Sequence, residues 1–254
     1  MYLSISALIL LVLLFFITSA VGVVTGSNSL ITVPVMFQFG IEPKTAVATN
    51  MFGLTFMAIG ATIPFIRRKA IDYQKVSPLI LLTLLGSALG ATLIGFISDQ
   101  TIPIIVSVSM IIVTIFTLLK RDAGVTQIQN LSSNALYVGY VLTFLLAIYG
   151  GPYSGGYVTM LTASFVAFFG MTFTESVAST KLINVFSSSI ASLIFMWQGL
   201  VDYKLGAILA VTMFVAAYVG AYVVTKLNDL WLKRIFIGTV LILAVKTIFD
   251  FYFR

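Results

Sequence analysis

Residues 177–189 read VASTKLINVFSSS and run without a break into IASLIFMW at 190–197. A lysine, an asparagine and several hydroxyls therefore sit inside a stretch otherwise apolar enough to cross a bilayer. Moved back by 130 residues, the same register reads VATNMFG (47–53), again with polar side chains, Thr49 and Asn50, inside an apolar run. The offset holds well beyond this segment. Gly26 meets Gly156, Phe39-Gly40 meets Phe169-Gly170, Phe65 meets Phe195, Asp72-Tyr73 meets Asp202-Tyr203 and Gly90-Ala91 meets Gly220-Ala221, all without a gap. The chain reads as a duplication.

Composition sets the class. Of 254 residues 60% are hydrophobic and 9% charged, with mean hydropathy +1.11, whereas a soluble domain carries roughly 25% charged residues. Several apolar stretches reach about 18 residues, the length that crosses ~30 Å of hydrocarbon. The expectation is an all-α polytopic membrane protein of two homologous halves. Residues 1–119 form the first membrane repeat, 120–130 a polar cytoplasmic linker (KRDAGVTQIQN) and 131–254 the second repeat. Hydropathy places five elements in each half: 3–24, 29–39, 44–66, 76–97 and 101–119, then 132–150, 155–170, 174–197, 203–225 and 231–250. The second element of each half is short and follows a small-residue turn, VTGSNS (24–29) or YGGPYSGG (149–156). It reads as interrupted or re-entrant. Residues 1–41 hold no charged side chain, so the opening stretch lacks the basic start of a cleaved signal and reads as a retained first helix.

The net charge of +6 is not a nucleic-acid signature, because most basic residues lie in short clusters at predicted helix ends, as the positive-inside rule produces. Those clusters also speak to topology. RRKAIDYQK (67–75) is net +3 while its counterpart QGLVDYK (198–204) is neutral; SDQT (98–101) is net −1 while its counterpart TKLNDLWLKR (225–234) is net +2. The bias reverses at both loops, which predicts inverted repeats with both termini outside. Parallel repeats with a re-entrant second element are the alternative.

The chain has no Cys and no His. That removes disulfides, thiol chemistry, His-bound metals and any Ser-His triad, and no cofactor is expected. A pair of interrupted helices at matching repeat positions points instead to a transporter site near the midplane. Helix starts expose unpaired N–H groups, and their dipoles favour an anion. The candidate binding residues are Ser27 and Asn28 in the first turn and Gly155 and Gly156 in the second. From the paired third elements come Thr49 and Asn50, then Ser179, Thr180, Lys181 and Asn184. Close helix packing is the plainer use of such glycines and serines. A lysine this deep costs on the order of 3 kcal/mol to insert and usually faces a pathway; pairing with Glu175 or snorkelling are its other readings. Expected partners are a small anion and the lipid bilayer, with a coupling ion (proton or sodium) and a homo-oligomer left open, and no nucleic acid. A non-transporting membrane scaffold is the other function class, and an enzyme is disfavoured by the missing chemistry.

The turn, the short element with its proline and GIEPKTAVATNMF (40–52), recurring as GMTFTESVASTKLINVF (170–186), resemble the TauE/SafE sulfite exporter family, also called the 4-toluene sulfonate uptake permease family. The likeness extends over nearly the whole chain; TGSNS (25–29) carries less glycine than the family pattern. The resemblance implies a secondary carrier of small sulfur-containing anions such as sulfite, sulfonates or thiosulfate, in a bacterial or archaeal cytoplasmic membrane. The residues themselves lead to a small anion and do not specify sulfur.

Overall fold

The computed structural model describes residues 4–26, 28–109, 133–227, 231 and 234, and all its regular elements there are helical. The expected linker 120–130 and the final element 231–250, apart from Trp231 and Arg234, lie outside the described residues, as does Ser27. Helix α1 spans Ile5–Thr25, α2 Ser29–Gln38, α3 Pro43–Arg67 and α4 Tyr73–Leu93, with a 3-10 turn at Ile94–Phe96. Residues 101–109 are helical and are called α5. The second half supplies α6 Ser133–Gly150, α7 Tyr157–Phe169, α8 Phe173–Trp197 and α9 Tyr203–Val224. Six of these helices are long and apolar enough to cross a membrane: α1, α3, α4, α6, α8 and α9. At 1.5 Å per residue, α2 and α7 reach only ~15 and ~20 Å, short of the ~30 Å core.

Equivalent helices begin and end by the same chemistry. Asp72 caps α4 by accepting from the Gln74 and Lys75 N–H groups, and Asp202 caps α9 through Lys204 and Leu205. The ends of α3 and α8 match as well. Lys69 N–H donates to Ile66 O and Ala70 N–H to Phe65 O; Gly199 N–H donates to Met196 O and Leu200 N–H to Phe195 O. That closure needs a left-handed residue, and the chain places Lys69 at φ 53° and Gly199 at φ 71°. The duplication is thus visible in the backbone as well as in residue identities.

The long helices pack mainly across the halves. Among the described residues, α3 lies against α8 and α9, α1 against α9, and α4 against α6 and α8. Exchanging the halves maps this pattern onto itself. Small residues close the seams: a Cβ at Gly90 would stand 1.9 Å from Ile148 O on α6, and at the equivalent Gly220 2.3 Å from Ala20 O on α1. Register fixes direction. Along α3 and α9, Thr49 meets Asp202, Gly60 meets Phe214 and Arg67 meets Tyr218. Along α4 and α8, Ser87 meets Ser187 and Thr92 meets Gln198. Each pair ascends together, so α9 runs with α3 and α8 runs with α4.

Two bundles result, each built from both halves. One comprises α1, α3 and α9; the other comprises α4, α6 and α8. The short α2 packs on α1 and α3, and the short α7 on α6 and α8, while α3 lies against α8 between the bundles. Apolar side chains such as Ile5, Leu85, Phe96 and Trp197 point outward and are exposed, as expected of a surface that lipid covers.

Candidate functional site

The two short helices start at the same place. Tyr153 Oη, in the turn before α7, donates to Ser29 O at the start of α2 at 3.1 Å. Gly26, which ends α1 at φ 67°, is so close to α7 that a Cβ there would lie 2.7 Å from the Val158 side chain. Beneath the converging helix starts is a narrow cavity. One wall comes from α1, the α2 start and α3, contributing Gly22, Asn28, Ser29, Met57 and Ala61 among others. The facing wall comes from the second half: Ser154, Val158, Lys181 and Asn184. The cavity therefore lies between the bundles, at the junction of the repeats.

Lys181 is its charged group. The side chain is 3% exposed, and Nζ donates to Gly22 O at 3.2 Å. Gly22 O also accepts the Gly26 N–H that closes α1, so the lysine reaches a helix C-terminal carbonyl, where a cation suits the local dipole. No carboxylate lies within ion-pair distance of it among the described residues. Glu175 is occupied elsewhere. Its Oε2 accepts from Thr172 N–H at 2.8 Å while Thr172 Oγ1 accepts from Glu175 N–H at 3.2 Å, a reciprocal cap on α8. An ammonium has three protons to donate, so two remain available to a guest.

The other expected residues divide by position. Asn28 and Asn184 line the cavity with Lys181. Asn50 stands one layer behind: its Oδ1 accepts from Thr32 Oγ1 at 2.8 Å and its Nδ2 donates to Ser29 Oγ at 2.9 Å. It pins the start of α2 to α3. Thr49 faces the other way and accepts from Asp202 N–H at 3.0 Å, holding the α8–α9 turn. Thr180 Oγ1 donates to Val177 O at 2.9 Å and lies 3.2 Å from Thr162 Oγ1, joining α8 to α7. Ser179 is fully buried and its hydroxyl has no partner. Gly156 opens α7 at φ 78°, and Gly155 O accepts from Tyr149 Oη. These last five residues are not part of the cavity wall.

Ser29, Gly22 and the α3 face Leu54–Met57–Ala58–Ala61 were absent from the sequence expectations. The α3 face was legible as spacing, because 54, 58 and 61 share one side of a helix. Its apolar, small character gave no chemical cue. Ser29 shows its role only through its bond to Asn50, a contact across 21 positions.

The family model for Sulfite exporter TauE/SafE matches residues 11–247. A relative from Escherichia coli (strain K12), named "Probable membrane transporter protein YfcA", is 26% identical over 95% of this chain and 91% of its own length. "Probable membrane transporter protein ORF9" of Sinorhizobium sp is 24% identical over 92% of this chain and 90% of its own. "Probable membrane transporter protein YunE" of Bacillus subtilis (strain 168) is 20% identical over 86% of this chain and 85% of its own. No solved structure matches.

Proposed function

The chain belongs to the TauE/SafE family of membrane transporters, and from that premise we propose that it is a secondary carrier of small anions, sulfite, sulfonates or another sulfur oxyanion, in the cytoplasmic membrane. The observation that carries the reading is Lys181: a buried lysine with no carboxylate partner among the described residues, in a cavity where two half-length helices begin. Helix starts and an ammonium together favour an anionic guest. A single fixed charge holds a small anion without trapping it.

In the same proposal the halves are inverted, residues 1–119 against 131–254, joined by a cytoplasmic linker at 120–130. Register supports it. α4 follows α3, and α9 follows α8, through short turns, and each reverses the chain across the membrane. Because α9 runs with α3, the equivalent helices α3 and α8 run in opposite directions. The Arg67 to Tyr218 bond brings the basic end of α3 to the end of α9 that leads to Lys226. Both basic loops then share one face, the cytoplasmic one by the positive-inside rule.

Uptake of labelled sulfite into proteoliposomes tests the function. Saturable uptake that Lys181→Met abolishes is the expected result. Flat uptake across a panel of small anions would instead favour a scaffold role in a larger assembly.

A further inference from the structure

Two acceptors in the central cavity have no donor. Asn28 and Asn184 are 3% and 5% exposed, both line the cavity, and Oδ1 of each is buried without a hydrogen-bond partner. The surroundings fix which end of Asn28 is which. Its Nδ2 donates to Met57 Sδ at 3.5 Å, and turning the amide over would set a carbonyl oxygen against the thioether lone pairs. Buried polar groups in native proteins are almost always paired, so two bare oxygens in one cavity mark what its occupant must supply. Lys181 stands in the same cavity with one proton directed to Gly22 O.

The cavity thus presents a cation and two acceptors together, and this combination is selective. A fully ionised oxyanion would answer the ammonium but turn its own lone pairs toward the amide oxygens. A metal cation would answer the amide oxygens but face the ammonium. A guest with negative oxygens on one side and a hydrogen-bond donor on the other satisfies every group.

We propose that the occupant is a singly charged anion bearing its own N–H or O–H beside its charged oxygens: an amino- or hydroxy-substituted sulfonate, or an oxyanion that keeps one proton. Its oxygens face Lys181, and its donor faces Asn28 Oδ1 and Asn184 Oδ1. This deepens the anion-carrier reading and rests on it.

Sulfamate and methanesulfonate test the point. Both are monoanions at neutral pH, with the same three sulfonate oxygens and nearly the same size, and only sulfamate carries N–H. Calorimetric titration of the purified full chain is expected to give sulfamate the tighter binding by roughly tenfold, the scale set by leaving a buried acceptor unpaired. Joint replacement by Asn28→Leu and Asn184→Leu is expected to abolish the preference while methanesulfonate still binds. The single Asn184→Leu variant, which retains the Asn28–Met57 contact, should reduce it and serves if the double variant does not fold. Equal affinity of the wild-type protein for the two probes would overturn the donor requirement and leave the anion site standing. A preference that survives both replacements would overturn its assignment to the amides. If sulfite, sulfamate and methanesulfonate all fail to bind, the anion site falls, and this inference with it.

Discussion

Lys181 lies ~12 Å along α8 from Phe173 at 1.5 Å per residue, buried among hydroxyls and amides, and its position was readable from charge alone. Few other residues explain a deep lysine with no acid beside it. Replacing it with methionine keeps the stem and deletes the cation, so binding of a sulfonate monoanion should weaken by roughly ten- to a hundredfold, the range for a lost charged hydrogen bond. Lys181→Arg should recover only part of that, because a planar fork presents its donors differently. Calorimetry on folded, monodisperse protein checks both variants, and unchanged affinity in the methionine form would leave Lys181 a structural residue. Asn50 makes the contrast. The sequence singled it out correctly as a polar intrusion, yet its bonds to Thr32 and Ser29 are internal. Asn50→Ala should therefore lower unfolding stability by about 2 kcal/mol, through hydroxyls left unpaired. Denaturant titration in mixed micelles would show this, with a smaller effect on affinity than at Lys181. A sequence cannot separate the two cases, because whether a polar side chain faces a cavity or a neighbouring helix is decided by residues far away in the chain.

The helices themselves were legible where hydrophobic runs meet Gly, Pro or Asp. Residues 43–67 and 173–197 begin and end within about a residue or two of their expected bounds. So do the short second elements, because Gly26, Gly40, Gly156 and Gly170 all adopt positive φ and end or start a helix there. What the pattern could not reveal was why each glycine is needed. Gly199 has nothing within 4 Å of where a Cβ would stand, so only its φ of 71° favours glycine, and the equivalent Lys69 tolerates the same left-handed region. Gly199→Ala should cost about 1 kcal/mol, the left-handed penalty, and leave ligand binding unchanged. Gly90 sits inside a helix, and there space is the constraint: its Cβ would stand 1.9 Å from Ile148 O. Gly90→Val should force α4 from α6 and lower the yield of folded protein severely. Size-exclusion profiles and unfolding midpoints of the two variants, measured side by side, would distinguish a backbone requirement from a packing one.

The duplication and the helical membrane class were both plain in the sequence, one from a single ungapped offset and the other from composition. Loop charge alone suggested inversion, through small counts at two connections. Gln74 and Lys204 are equivalent by the 130-residue offset and both are exposed. In a chain without native cysteine, Lys204→Cys should react with an impermeant maleimide from outside intact cells, and Gln74→Cys only after permeabilisation. Labelling of both from the same side would restore parallel repeats. The sequence did not show which helices form each bundle: α1 and α3 pack with α9, and α4 packs with α6 and α8. The seams at Gly90 and Gly220 join helices of opposite halves. During synthesis this has a consequence. The first repeat enters the bilayer before its packing partners exist, so α1, α3 and α4 must wait, inserted but unassembled, until the ribosome has delivered the second. The helix notches cut for Ile148 and Ala20 are then filled in a single late event. Two separately encoded half-chains would have to find each other in the membrane before either was folded, and each expressed alone would be left to the proteases that clear orphan subunits.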